Sequence, residues 1–191
     1  AKFGVLPVTK DERALAVNMV RHVGDLVACV AAEDEATALQ ALQLIEVDYE
    51  VLDSIHNMKD GLKNSNNPIH DRGKYHIGES NIQKRVFQEF GEVSAMEEKA
   101  VASHKSKWTF AGVNHGFTEP HAVVANWDPR GRLTLYTPQQ VPHYLHRALA
   151  EVLDIPMHQI NVYRTFVGGG FGGKSDPFPH EMCAAILARK T

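Results

Sequence analysis

Two hydrophobic periods alternate along the chain and predict its elements. Leu26-Val27-Ala28-Cys29-Val30-Ala31-Ala32 is an unbroken apolar run of strand length, preceded by a strand-and-turn pattern over 20–25. Glu33-Asp34-Glu35-Ala36-Thr37 then sets acids where a helix dipole is positive, and Leu39, Leu42 and Ile45 follow as a stripe. This predicts a helix of about three turns. Glu46 to Leu52 alternates polar and apolar positions as a half-buried strand does. Strand, helix and strand make a small α/β layer that offers no chemistry of its own.

Periodicity fails between Asp53 and about Ser80, where Asn64, Asn66, Asn67, Pro68, Gly73 and Gly78 interrupt every pattern. The chain therefore divides into a unit over 1–55, a linker over 56–82 and a second unit over 83–191. In the second unit, strand character is expected at 86–92, 100–111, 121–127 and 133–136, with one or two helical turns at 93–99. Asp128-Pro129-Arg130-Gly131 reads as a turn closing a hairpin. Leu145, Leu149, Val152 and Leu153 predict a helix over 141–153, ended by Asp154-Ile155-Pro156. A strand over 160–167, a glycine-rich loop and a helix over 180–190 complete an α+β arrangement.

Composition narrows the function. The 191 residues are 43% apolar and 23% charged with a formal net charge of −3, ordinary for a globular protein. There is no basic footprint for nucleic acid and no polybasic surface for a membrane. No run of ~18 apolar residues and no signal-peptide pattern occurs, so a cytoplasmic location is expected. Cys29 and Cys183 form no Cys-x-x-Cys unit. They are expected as buried, reduced thiols in a strand and a helix, too few to bind an iron–sulfur cluster. The 11 histidines, among them His56, His70 and His76, show no metal-ligand spacing.

Chemistry concentrates in Val167-Gly168-Gly169-Gly170-Phe171-Gly172-Gly173-Lys174-Ser175. Glycine tolerates positive φ and permits close approach to the backbone. Strand, glycine-rich turn and helix expose amide N–H groups to an anionic or oxo-bearing ligand. The alternative is a purely structural turn. Taken literally, Gly168-x-x-x-x-Gly173-Lys174-Ser175 satisfies the phosphate-loop pattern, with Lys174 on the phosphates and Ser175 on Mg²⁺. Pro177 and Pro179 interrupt the helix start, however, and only 176–191 remain to supply a further strand and acid.

Three segments in register carry a resemblance. Glu119-Pro120-His121, Thr137-Pro138-Gln139-Gln140-Val141-Pro142 and the GGGFGGK loop resemble the large, molybdopterin-binding subunit of the xanthine dehydrogenase family of molybdenum hydroxylases. Gln140 lies 31 residues before Phe171, as in that family. The opening Ala1-Lys2-Phe3-Gly4-Val5-Leu6-Pro7 further resembles the 4-hydroxybenzoyl-CoA reductase branch, although that branch carries a different pair where this chain has Gly173-Lys174. The resemblance implies part of an α/β hammerhead domain followed by the first part of a molybdopterin-binding domain. Ala1 would then start inside the hammerhead and Thr191 stop inside a domain, so a fragment or one piece of a split subunit is expected.

The resemblance also implies a set of sites. The cofactor would be molybdopterin, in its simple or its cytosine dinucleotide form, bound at Gln140, Gly169, Gly170, Phe171 and Gly172. Gln140 would meet an apical ligand of molybdenum, and the amides around Phe171 and Gly172 would face its dithiolene. A side-chain amide suits the first task, since it donates without ionising; the bland reading of Gln140 is a neighbour of the helix N-cap. If those amides must reach a ligand, a Cβ at Gly172 would find little room. Glu119, before Pro120, is either a general base without a visible partner or a structural carboxylate, and the resemblance gives it supporting duty near the cofactor. Family members oxidise aromatic, heterocyclic or aldehyde substrates with water as the oxygen source, and electrons leave through an iron–sulfur subunit and an FAD subunit. Purine-oxidising relatives have a glutamate where this chain has Ser175, so a purine substrate is not expected. No catalytic residue is expected within these 191 residues, and the chain alone should not turn over. The competing class is a non-catalytic assembly or binding module of the same fold.

Overall fold

A computed structural model describes residues 1–4, 10–63, 68–70, 81–82 and 86–191. The predicted start of the second unit near Gln83, together with His76, Asn64, Asn66, Asn67, Gly73 and Gly78, lies outside the described residues.

The ordered centre is a three-stranded sheet, β1 (Val124–Trp127), β2 (Leu133–Thr137) and β3 (Ile160–Arg164), in that spatial order. β1 and β2 form the expected hairpin, pairing Val124 with Tyr136 and Trp127 with Leu133. Its turn is built by Asp128, whose carboxylate accepts from the amides of Arg130 (3.0 Å) and Arg132 (2.8 Å), with Gly131 at φ 77°. β3 runs parallel to β2, from Leu133↔Ile160 to Thr137↔Arg164, so a crossover is required. The helix Pro142–Leu153 supplies it. Pro142 at its first position suits a helix start, and Asp154 in the left-handed region (φ 53°) ends it, its N–H donating to Ala150.

Leu133 and Leu135 on β2 are fully buried, alternating with the more open Thr134 and Tyr136. On the buried face lie Leu145 and Leu149 of the crossover helix and Met182 and Ala185 of the C-terminal helix Pro179–Lys190. Each buried leucine contributes about 1.5–3 kcal/mol of transfer free energy. Trp127 Nε1 donates to Ala185 O (2.8 Å), tying β1 to the C-terminal helix. Phe3 is also in this core at 1% exposure, its backbone bridged to Glu12.

The first unit departs from expectation. The predicted helix forms as Glu35–Gln43, capped by Asp34 accepting from Thr37 N (2.8 Å). The runs at 20–25, 26–32 and 46–52 do not pair as strands among the described residues, nor do 86–92 and 100–111. A strand is stable only in a ladder of hydrogen-bonded neighbours, and among the described residues these segments have none; Leu26 O accepts a single bond, from Ala16 N (2.7 Å). Their apolar residues stay open accordingly: Val47, Val51, Val101, Trp108 and Phe110 are all exposed. The short helix Val93–Lys99 forms as predicted, and Met58–Lys63 adds a helical turn inside the expected linker. In chain order the helices are α1 (Glu35–Gln43), α2 (Met58–Lys63), α3 (Val93–Lys99), α4 (Pro142–Leu153) and α5 (Pro179–Lys190). Helices and strands together make the fold α+β.

Candidate cofactor site

Because β2 and β3 are parallel, their carboxyl ends open on the same edge of the sheet. Thr137 O there accepts from Thr165 N (3.1 Å). The segment 138–141 and the glycine loop leave from this edge side by side, and a third segment, 115–121, lies beneath them.

Gln140 joins the first two. Its N–H donates to Lys174 O (2.8 Å), while its Oε1 accepts from Gly172 N (3.2 Å), Lys174 N (3.1 Å) and Ser175 Oγ (3.4 Å). Three donors on one oxygen fix which end of the carboxamide faces the loop. The NH₂ group is thereby turned away from it. Gln140 also lines a cavity of about 730 Å³ with Arg164, Thr165, Phe166 and Val167.

Glu119 holds the other end of the loop. Its N–H donates to Gly168 O (3.3 Å), and its Oε2 accepts from Gly168 N (2.7 Å) and Lys174 Nζ (2.7 Å). Those two hydrogen bonds, first the ammonium's and then the amide's, pull the carboxyl below its ordinary range. Lys174 is 1% exposed, and its ammonium also sits over the Phe117 ring at 4.7 Å. This overturns the phosphate-loop reading. The lysine that would reach phosphates is turned inward and neutralised.

The glycines divide by physical need. A Cβ at Gly168 would lie 2.6 Å from Glu119 Cβ, at Gly170 2.5 Å from Gln140 Oε1, and at Gly173 2.9 Å from His115 and Phe117. Gly172 has open space around it, contrary to the expectation of crowding; its φ of +87° is what demands glycine. Phe171 adopts φ 48° with its ring largely exposed. Among the described residues nothing accepts from the N–H of Gly169, Gly170 or Phe171, whereas Gly172 N–H is given to Gln140. Three successive unpaired amides beside an outward carboxamide NH₂ form a donor surface for a ligand rich in acceptors.

Beneath the loop lies a cluster of neutral rings. His121 packs against Phe178 (4.6 Å), Phe117 (5.3 Å) and His180 (5.3 Å). Burial and then His121 push His180 down to about 4, and burial, Lys174 and His115 lower His121 as well. Glu181, at the start of α5, is buried with its Oε1 accepting from Thr137 Oγ1 (2.9 Å) and its Oε2 reaching back to Phe178 N (2.9 Å). The latter bond caps the helix. Desolvation raises the Glu181 carboxyl.

Cys183 is buried in α5, but Cys29 is only half-buried and lies in no strand. Both thiols are free, and burial together with Cys29 beside it pushes Cys183 up to about 12. Among the described residues no group of three or more His, Cys, Asp or Glu side chains could hold a metal ion, and no helix is long and apolar enough to cross a membrane. The partner of Glu119 was not foreseen, since 55 residues separate it from Lys174.

Comparison with known proteins identifies the family. Residues 76–191 match the molybdopterin cofactor-binding domain family, and residues 2–53 match the aldehyde oxidase and xanthine dehydrogenase a/b hammerhead domain. The chain belongs to the xanthine dehydrogenase family of molybdopterin-binding proteins, and residues 76–191 belong to a molybdopterin cofactor-binding domain. It is 32% identical over 185 residues to the nicotinate dehydrogenase large molybdopterin subunit of Eubacterium barkeri, covering 97% of this chain and 41% of that one. It is 33% identical over 178 residues to the xanthine dehydrogenase molybdenum-binding subunit of Escherichia coli O157:H7, covering 93% and 23%. Quinoline 2-oxidoreductase from Pseudomonas putida 86 superposes with a TM-score of 0.79 at 27% identity, over 94% of this chain and 22% of that one. The chain thus spans less than half the length of these relatives.

Proposed function

We propose that this chain forms one wall of the molybdenum centre in an oxidoreductase of aromatic, heterocyclic or aldehyde substrates, with water as the source of oxygen. Gln140, Gly169, Gly170 and Phe171 present the hydrogen-bond donors, and Gly172 supplies the backbone turn between Phe171 and Lys174. Gln140, through its NH₂ group, and Phe171, through its amide, face the molybdenum ligand sphere. When bound, molybdopterin supplies the redox chemistry; the protein orients it and stabilises charge. Gln140 cannot ionise in that role, and the neutral rings beneath the loop leave the Lys174–Glu119 pair as a net-neutral base. The remainder of the cleft, an iron–sulfur partner, an FAD partner and a cytoplasmic setting complete the proposal. Ser175, bonded to Gln140, offers no carboxylate to a substrate, which favours a non-purine ring.

The observation that carries the reading is the orientation of Gln140, whose oxygen is spent on the loop and whose NH₂ is free. Gln140→Glu tests it in the complete molybdenum subunit. The substitution keeps the oxygen that accepts from the loop and replaces the outward donor with an acceptor. Turnover should fall by about 10²–10³-fold, the effect of losing one preorganised donor, while the thermal midpoint stays near wild type. Unchanged turnover at full molybdenum loading would sink the assignment.

A further inference from the structure

Gly168, Glu119, Lys174 and Gln140 form a closed circuit under the loop. Glu119 grips Gly168 through both backbone and side chain, and Gln140 grips the far side of the loop at Gly172 N, Lys174 N and Ser175 Oγ. The Lys174 side chain crosses between the two grips. Its backbone brackets Gln140 with an N–H donated to Oε1 and a carbonyl accepting from Gln140 N, and its ammonium ends on Glu119 Oε2. One residue therefore reports the position of Glu119 to the side chain of Gln140.

We infer that the Lys174–Glu119 ion pair is a positioning device that sets the aim of the Gln140 NH₂ group and of the Gly169–Phe171 amides toward the cofactor. Neither side chain touches the cofactor in this scheme. The inference rests on the donor surface proposed above and adds to it the pair that holds that surface in place. Burial makes the device sensitive. An ammonium at 1% exposure has no water to replace a lost carboxylate, so breaking the pair forces Lys174 to move, and its backbone carries Gln140 with it. A surface pair could be lost without such consequence. The geometry also explains why glycine is needed at 168 and 170. Both positions lie against the two gripping side chains, and a Cβ at either would pry one grip open.

The test uses the complete molybdenum subunit in its holoenzyme, with Lys174→Met, Glu119→Gln and the double variant Glu119→Gln/Lys174→Met. Molybdenum per folded subunit, the thermal midpoint and the Mo(V) electron paramagnetic resonance signal are measured on the same preparations. Glu119→Gln leaves the buried ammonium without its carboxylate, and Lys174→Met leaves a half-buried Glu119 without the cation that holds it. In both, molybdenum per folded subunit should fall at least fivefold or the signal's g-values should shift. The double variant removes the charge conflict, since a neutral glutamine still accepts from Gly168 N. It should recover most of the thermal midpoint while its Mo(V) signal remains altered. That split is the mark of positioning, because a merely structural pair would recover both together. Wild-type loading and a wild-type signal in all three variants, with Gln140→Glu altering the signal, would overturn the inference and leave the donor surface standing. Should Gln140→Glu also leave loading and signal unchanged, the donor surface itself fails and the inference falls with it.

Discussion

Gly170 and Gly172 stand two positions apart and are glycine for different reasons, which makes them separable by experiment. At Gly172 the space for a side chain is open and the constraint is φ +87°. Gly172→Ala should therefore cost about 1–3 kcal/mol of stability through backbone strain, with molybdenum per folded subunit retained. Gly170 carries no positive φ, yet a Cβ there would press on the Gln140 carboxamide at 2.5 Å. Gly170→Ala should displace Gln140, lowering cofactor content more than it lowers the thermal midpoint. Measuring midpoint and metal content on both variants decides the matter; equal ratios of the two losses would show that the loop responds as one structural turn. The density of glycine was legible as a sign of close approach. Which glycine meets which side chain was not, because the opposing atoms come from residues 115–119 and 140, far away along the chain.

At the scale of elements, the N-terminus of α5 is where burial and titration meet. His180 is held neutral by its apolar surroundings, with a folded value of about 4 against an ordinary 6.5. A base whose folded pKa is lowered favours folding above its unfolded value, and that contribution is lost as pH falls through 6.5 toward about 4. Glu181, raised by burial, works in the other sense: its contribution is present at low pH and lost as pH rises through its folded value. The two oppose each other between pH 6.5 and 4, so His180→Phe, which keeps a ring beside His121 and Phe178, should remove the destabilising half and make the thermal midpoint fall less, or rise, over that range than in wild type. The same slope in wild type and variant would rule out a contribution from His180. α4, α5 and the hairpin were legible because their signals are local: apolar spacing in the helices, Asp128 and Gly131 in the turn; Pro179, expected to interrupt the helix start, is instead the first residue of α5. The segments 26–32, 46–52, 86–92 and 100–111 have equally apolar or alternating patterns but no strand ladder. Pairing is a non-local property that a run of valines and phenylalanines does not specify. The Glu119–Lys174 pair escaped for the same reason: taken alone, Glu119 reads as a general base or a structural carboxylate and Lys174 as a phosphate ligand, and neither reading points to the other residue.

Over the whole molecule, the two ends of the sequence meet in one core. Phe3 is 1% exposed among Leu133, Leu135, Leu145, Leu149, Ile160 and Met182, all of them more than a hundred residues away in sequence. Ala14 O faces Cys183 Sγ at 3.7 Å, and Lys10 pairs with Glu151 at 2.7 Å. The opening segment, which matches a hammerhead domain, thus shares its anchor with the cofactor-binding unit. These contacts differ greatly in worth. The Lys10–Glu151 pair is solvent-exposed on both sides, and such pairs contribute about 0–1 kcal/mol. Phe3 fills a core position, and Phe→Ala at such a site costs about 3–5 kcal/mol, from lost transfer free energy and from the cavity left behind. Phe3→Ala should accordingly lower the denaturant midpoint far more than Lys10→Ala, and Phe3→Leu, which keeps most of the volume, should fall between them. The order Phe3→Ala, Phe3→Leu, Lys10→Ala is what docking of the first residues into the core requires. A Phe3→Ala midpoint no lower than that of Lys10→Ala would show that the opening segment does not hold this position in solution, and that the core beneath the glycine loop is closed by the residues of 123–185 alone.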